Sequence, residues 1–343
     1  MVAHAGAPFL RAGGVGVDIF FVLSGFLISS ILIDEWRRRS DIALGQFYIR
    51  RALRLVPCLC MTVAFFVLYH RLLGDPFSFV DPAVSLTYTM NWARALDYLG
   101  MSALRHTWSL GIEEQFYLLW PLALTVLLPH VNSRASLARF LIAAAIGFGV
   151  YRYAMAGSYS DQRIYFGLDT HCDGLLWGAA MVPISELLRN ASLHRFWHLV
   201  LGRVIVPLAL LAMALMAWLF AWGDDWMWRF GFGAVAIASS ALVLDLVAGR
   251  CSVLRGVLEI PVLRWLGKIS YGLYLWHFPI YDLLNRLHIG SGWKTRFLIG
   301  GSCTVAVAAI SYYGVERHFL KLKDRFHATS VEGPDSLTAA SQV

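Results

Sequence analysis

The sequence is poor in charge: only 15% of its 343 residues are Asp, Glu, Lys or Arg, against about 25% in soluble globular domains. With 58% hydrophobic and 14% aromatic residues and a mean hydropathy of +0.59, this shortage excludes an ordinary soluble monomer. Acidic residues are the scarcer sign, 22 against 29 Lys and Arg, for a net charge of +7. In a soluble chain that excess would point to nucleic acid; here it is expected to gather in loops that stay cytoplasmic, and no nucleic-acid partner is expected. Cysteine is sparse too. Cys58, Cys60, Cys172, Cys251 and Cys303 are odd in number and lack framework spacing, which excludes a disulfide scaffold and leaves packing roles. No basic stretch leads an apolar core at the start, so no cleavable signal peptide is expected. There is no internal repeat and no second soluble domain.

What the chain has is long apolar runs. Each crossing needs about 20 residues, and runs near 15–33, 52–70, 108–128, 138–156, 173–188, 204–222, 230–248, 269–287 and 297–316 qualify. The fold expected is an all-α polytopic membrane helix bundle of about nine spans. The ten-residue run 83–92, flanked by Pro82 and Asn91, reads as a re-entrant or interfacial piece. If the loop at 34–54 lies inside, most of the 29 basic residues fall on the same side, from Arg37, Arg38 and Arg39 to Arg317, Lys321 and Lys323. The C-terminus is then cytoplasmic and the location a cell (inner) membrane. Nine spans leave residue 1 outside, so a first helix is expected to be truncated and ten spans to result when it is restored. Residues 1–325 form the expected membrane domain, and 326–343, rich in Ser, Ala and Thr, a disordered cytoplasmic tail.

Ionisable groups inside spans are costly and become functional candidates. In VGVDIFFVLSGFLIS, Asp18 lies near the outer helix end, and Ser24-Gly25 suits close approach of another backbone. In HTWSLGIEEQFYLLWP, Ser109, Glu113 and Tyr117 fall at i, i+4 and i+8 on one face with Glu114 beside them. At least one of these carboxylates must look into a polar cavity; the competing role is a pair with an arginine of a neighbouring helix. In ISYGLYLWHFP, Ser270, Tyr274 and His277 share a face ahead of Pro279. Asp169, His171, Cys172 and Asp173 superficially suggest a metal site, but neighbours in sequence rarely converge on one ion, and no metal is expected. Asp173-Gly174 reads instead as a helix N-terminal device. In FYIRRALRLVP, Arg51 and Arg54 lie at i, i+3 at the cytoplasmic mouth and suit bidentate contacts to phosphates, with lipid contacts and orientation as the alternative.

Five segments in order, GVGVDIFFVLSGFLI, FYIRRALRLVP, HTWSLGIEEQFYLLWP, SYGLYLWHFPI and GVERHFLKL, resemble the acyltransferase 3 family from His4 to about Lys323. The resemblance implies a ten-helix membrane enzyme that moves acyl groups from acyl-CoA, mostly onto hydroxyls of extracytoplasmic glycans. It also implies an essential histidine in the first helix, whose position His4 takes; its usual basic partner would precede Met1. At His171 the family often carries Arg.

On this resemblance the chain is expected to be an O-acyltransferase with acyl-CoA, in the simplest case acetyl-CoA, as donor substrate and no permanent cofactor. Arg51 and Arg54 would hold the donor phosphates. His4 would serve as general base or transient acyl carrier, and Glu113 or Glu114 would orient it. Asp18, Ser109, Tyr117, Tyr274 and His277 would line the cavity, and the outer connection 71–107 would choose the acceptor. The rival class is a transporter or flippase for a lipid or glycan, whose pathway the same buried charges would line; a third is an inactive truncated membrane subunit.

Overall fold

A computed structural model describes residues 14–98, 100, 102–189, 199–219, 224–248, 253–290, 292–323 and 326. His4 and the tail beyond Phe326 lie outside the described residues, as does any first helix. Every regular element described is helical: α1 (Val15–Arg39), α2 (Leu44–Leu73), α3 (Val80–Leu86), α4 (Met90–Ala95), α5 (Trp108–Leu127), α6 (Arg134–Met155), α7 (Asp161–Phe166), α8 (Leu168–His171) and α9 (Asp173–Arg189). They are followed by α10 (Val206–Leu219), α11 (Phe232–Ala248), α12 (Val253–Leu258), α13 (Pro261–Lys268), α14 (Ser270–Arg286), α15 (Gly292–Ser311) and α16 (Arg317–Lys323).

The all-α expectation holds, but the span count does not. Among the described residues six helices are long and apolar enough to cross a membrane: Val15–Arg39, Leu44–Leu73, Arg134–Met155, Leu201–Leu219, Met227–Val247 and Gly292–Lys323. The expected nine, or ten with a restored first helix, therefore reduces to six. The three runs that fall short have physical reasons in common. α9 and α14 are only 17 residues long, each with an internal proline, Pro183 and Pro279. α5 has the length, 20 residues, but spends it on Glu113, Glu114 and Gln115 and also contains Pro121. α9 is buried along most of its length, whereas α5 turns Ser109, Glu113 and Tyr117 inward and leaves Leu118, Leu122 and Val126 exposed.

The run at 83–92 is two short helices, α3 and α4, broken near Tyr88, whose φ is +56°. With a 3-10 turn at Arg105–Thr107 they form the connection from α2 to α5. By chain continuity this connection sits at the end of the bundle opposite Arg37, Arg38 and Arg39, which occupy the last turn of α1 and complement its negative dipole end.

α1 packs along α9, α6 packs on the other side of α9, and α11 closes over both α1 and α9; α14 pairs with α15, and α2 with α14 and α16. Large apolar side chains such as Leu27, Ile31, Leu68, Val126 and Leu208 point outward, as a lipid-facing surface requires. Inside, Arg152 of α6 is 1% exposed and Asp173, at the start of α9, 2%. Arg152 Nη1 donates to Asp173 Oδ1 at 2.6 Å and to the Thr170 carbonyl at 3.1 Å. Truncating one member of a buried pair strands the other charge, which costs about 3–5 kcal/mol. Arg152→Met is therefore expected to destabilise the protein by about 3 kcal/mol, read as a lowered melting temperature in micelles; an unchanged melt would show that Asp173 finds another partner.

Candidate functional site

A run of polar groups crosses the interior along one face of α5. At one end Arg51 of α2 donates from Nε to Glu114 Oε1 at 2.9 Å, and its Nη2 lies 2.8 Å from the same oxygen as an ion-pair contact. Its guanidinium carbon also lies 3.4 Å from the centre of the Tyr117 ring, so Arg51 is held by a carboxylate in its plane and a π-face beneath it. Arg54, one turn along α2, is exposed. The expected pair of arginines is thus split: one is engaged inside the bundle and one is accessible.

Glu113, adjacent to Glu114, is 3% exposed, and its Oε1 has no hydrogen-bond partner among the described residues. A buried polar atom without a partner costs free energy, which marks the position as one kept for something other than stability. One turn earlier on the same face, Ser109 Oγ lies 2.5 Å from Tyr274 Oη of α14. Tyr274 gives its own proton to the His106 carbonyl, so Ser109 is the donor in that pair. His277 Nδ1 donates to the Tyr274 carbonyl at 2.5 Å. Ser109, Glu113 and Tyr117 are all buried, and Tyr274 of α14 meets this face at Ser109, while His277 is buried beside Tyr274 and His106.

Beyond Ser109 the run continues through aromatic rings. Trp108 is 4.5 Å from Tyr165 and stacks at 5.9 Å on His171, ring centre to ring centre. His171, at 1% exposure, donates from Nδ1 to the Tyr165 carbonyl at 2.7 Å, and its Nε2 is 2.7 Å from Asp18 Oδ1. Asp18 is thus in the interior as expected, and its partner is the residue whose role the sequence left open. Each side chain of the DTHCDG segment has its own commitment: Asp169 to Arg163, His171 to Asp18, Asp173 to Arg152, with Cys172 buried. No grouping of three or more His, Cys, Asp or Glu side chains suited to a metal ion occurs among the described residues.

Two features escaped the sequence reading. Arg152, counted there only as one more basic residue, is buried against Asp173. Glu316, in the closing GVERHFLKL segment, is 5% exposed and accepts from Ser311 Oγ at 2.7 Å, with Cys58 Sγ 3.5 Å from that hydroxyl. The only signal for Glu316 was a carboxylate close behind an apolar run.

A family model described as an acyltransferase domain, acyltransferase 3, matches residues 2–313. The O-acetyltransferase OatA of Staphylococcus aureus (strain NCTC 8325 / PS 47) is 32% identical, over 92% of this chain and 54% of that protein. The peptidoglycan O-acetyltransferase OatA of Listeria monocytogenes is 30% identical over 91% and 52%, and the putative peptidoglycan O-acetyltransferase YrhL of Bacillus subtilis (strain 168) 32% over 92% and 51%. The chain spans about half the length of these curated relatives. No solved structure matches it.

Proposed function

The chain belongs to the acyltransferase 3 family, and from that membership we propose that it transfers an acyl group, acetyl in the simplest case, from cytoplasmic acyl-CoA to a hydroxyl of a glycan on the other side of the membrane. The observation that carries this reading is the buried polar run from Arg51 and Glu114 through Glu113, Ser109 and Tyr274 toward His171 and Asp18. A thioester brought in at one end and a hydroxyl brought in at the other can meet along it. The relatives' printed names, O-acetyltransferase and peptidoglycan O-acetyltransferase, support a glycan as acceptor and acetyl as the group moved.

In the proposed reaction the acceptor hydroxyl attacks the thioester carbonyl while His4 takes its proton. The C–S bond then breaks, and the thiolate of CoA leaves with that proton, giving an ester and free CoA. Histidine suits the step because its ordinary pKa lies near neutrality. Exposed Arg54 is the side chain available to a donor phosphate at the mouth, and Arg51 would join it by exchanging Glu114 for phosphate.

The test uses the full chain in vesicles with acetyl-CoA, reading free thiol and alkali-labile ester on added glycan. Glycan-dependent release of CoA with matching ester is expected, and none from His4→Ala at equal protein level. Full activity in His4→Ala would remove His4 from the mechanism. If no added glycan accelerates CoA release, the transfer reading fails and carriage of a lipid or glycan takes its place.

A further inference from the structure

Where α1 stops and α6 begins, two arginines far apart in the chain meet on one carboxylate. Arg37, in the last turn of α1, donates from Nη1 to Glu186 Oε1 at 2.5 Å and from Nη2 to Oε2 at 2.9 Å. Arg134, the first residue of α6, places its Nε 2.6 Å from the same Oε2 as an ion-pair contact. Glu186 belongs to α9, so one carboxylate ties three helices together. A single negative charge thereby serves two positive ones. Asp34 lies 3.8 Å from Arg37 Nη1 with its side chain 52% exposed, and a loose pair in water adds little. The two terminal nitrogens of Arg134 make no hydrogen bond or ion pair among the described residues. That free edge of a guanidinium suits two oxygens of one phosphate.

Arg37 and Arg134 also line a pocket of about 220 Å³. Both are exposed, whereas Ile33, Leu128 and Leu137, which line it too, are buried, and half-buried Trp36 adds an indole. The pocket is thus apolar within and basic at its exposed side. Its volume is that of about seven waters, below the roughly 300–1,000 Å³ of sites that enclose a whole cofactor. A headgroup fits it better than a complete small-molecule cofactor does.

Position along the spans indicates what can reach it. Arg37 lies near the end of Val15–Arg39 and Arg134 opens Arg134–Met155, both helices long and apolar enough to cross a membrane. The pocket is therefore at the level where spans leave the hydrocarbon, where Trp and basic residues gather. α6 turns most of its apolar length outward, and Phe140, one turn beyond Leu137, is 51% exposed. A soluble anion would use the arginines alone; a phospholipid would use the arginines, the apolar pocket and this flank. Basic pockets between spanning helices suit anionic headgroups for the same reason. We propose that the pocket binds the headgroup of an anionic phospholipid, with its phosphate shared by Arg37 and Arg134 and its acyl chains along the Phe140 flank of α6. The lipid supplies the second negative charge at the junction of α1, α6 and α9. Nothing in this site depends on acyl transfer.

Native mass spectrometry of the full chain tests it, after release from vesicles of equimolar phosphatidylglycerol and phosphatidylcholine with identical acyl chains. One phosphatidylglycerol per chain is expected to be retained about tenfold or more over phosphatidylcholine, as charge-assisted bonds imply. Arg134→Gln should remove that preference, and Arg134→Lys should keep part of it. Arg38→Gln takes a charge from the same end of the bundle but does not line the pocket, and should leave the preference intact. Equal retention of the two lipids, or a preference that survives Arg134→Gln, overturns the site. An equal loss in Arg38→Gln shows diffuse surface charge and overturns it as well. The unaltered chain gives a second reading that does not require a variant to fold: its melting temperature in neutral micelles with phosphatidylglycerol, lysophosphatidylglycerol or glycerol 1-phosphate added. Stabilisation is expected to fall in that order, because each lost chain removes apolar contact. Glycerol 1-phosphate that stabilises as well as phosphatidylglycerol makes this a site for soluble phosphates and overturns the lipid.

Discussion

Replacing either Gly25 or Gly178 by alanine is expected to prevent the bundle from assembling. A Cβ on Gly25 of α1 would fall 1.9 Å from the Leu175 carbonyl oxygen of α9, and a Cβ on Gly178 of α9 would fall 1.9 Å from the Val22 carbonyl oxygen of α1. Each helix thus lays its backbone on the other's glycine. The opposing atoms are main chain, so no rotamer change relieves the overlap, and the helices must part by more than about 1 Å to reach ordinary contact. Overpacking a core costs about 1–3 kcal/mol when side chains can adjust, and more where they cannot. Parting α1 from α9 would also stretch the bond between Asp18 and His171. At least about 3 kcal/mol is expected for each substitution, read as loss of the monodisperse peak and of a cooperative melt. Gly147 and Gly149 of α6 provide the contrast, since nothing lies within 4 Å of their Cβ positions. Alanine there is expected to stabilise by up to about 1 kcal/mol through helix propensity. A Gly25→Ala protein that melts with the parent would show that the α1–α9 contact is looser than these distances.

Half of that contact is visible in the sequence. Ser24-Gly25 within an apolar run marks a place for close approach, but nothing local says that the approaching chain is Leu175, 150 positions further on. The same boundary between local and long-range information runs through the fold. Periodicity and length locate helices well; six of the nine expected runs carry helices apolar enough to span. The other three misled because a helix with one face packed inward needs neither full span length nor uniform apolarity on that face. α5 keeps its glutamates on that face, where the sequence had counted a full span with at least one carboxylate turned to a polar cavity.

The site divides along the same line. Spacing of four residues was enough to put Ser109, Glu113 and Tyr117 on one face, because a helix fixes that geometry by itself. Spacing cannot say which glutamate receives Arg51, 62 and 63 positions away for the two candidates, because that depends on how α2 is rotated against α5. Arg152 was illegible for a further reason. An arginine near the end of an apolar run looks like an interfacial charge, and only the burial of Asp173 beside it shows otherwise.

Substituting the two adjacent glutamates is expected to separate chemistry from stability. Glu114 Oε1 accepts from Arg51 Nε and lies 2.8 Å from its Nη2, and the pair is largely enclosed, with side chains 13% and 15% exposed. Glu114→Gln leaves the guanidinium over Tyr117 without its counter-charge. About 3 kcal/mol of stability should be lost, and exchanging both members, Arg51→Met with Glu114→Leu, should recover most of it. Glu113→Gln removes no bond at Oε1, because that atom has no partner among the described residues. It replaces an ionisable group by a neutral isostere in a site where burying charge is costly. Its melting temperature is therefore expected to stay level or rise, while transfer falls about 100-fold or more, the usual loss when a group that assists proton transfer is removed. A lowered melt with intact transfer would make Glu113 a packing residue. A fall in transfer for Glu114→Gln at unchanged stability would move the catalytic role to that side chain. Two neighbouring carboxylates on one helix point about 100° apart. With Arg51 paired to one of them, the other is the carboxylate that the proposed transfer would use.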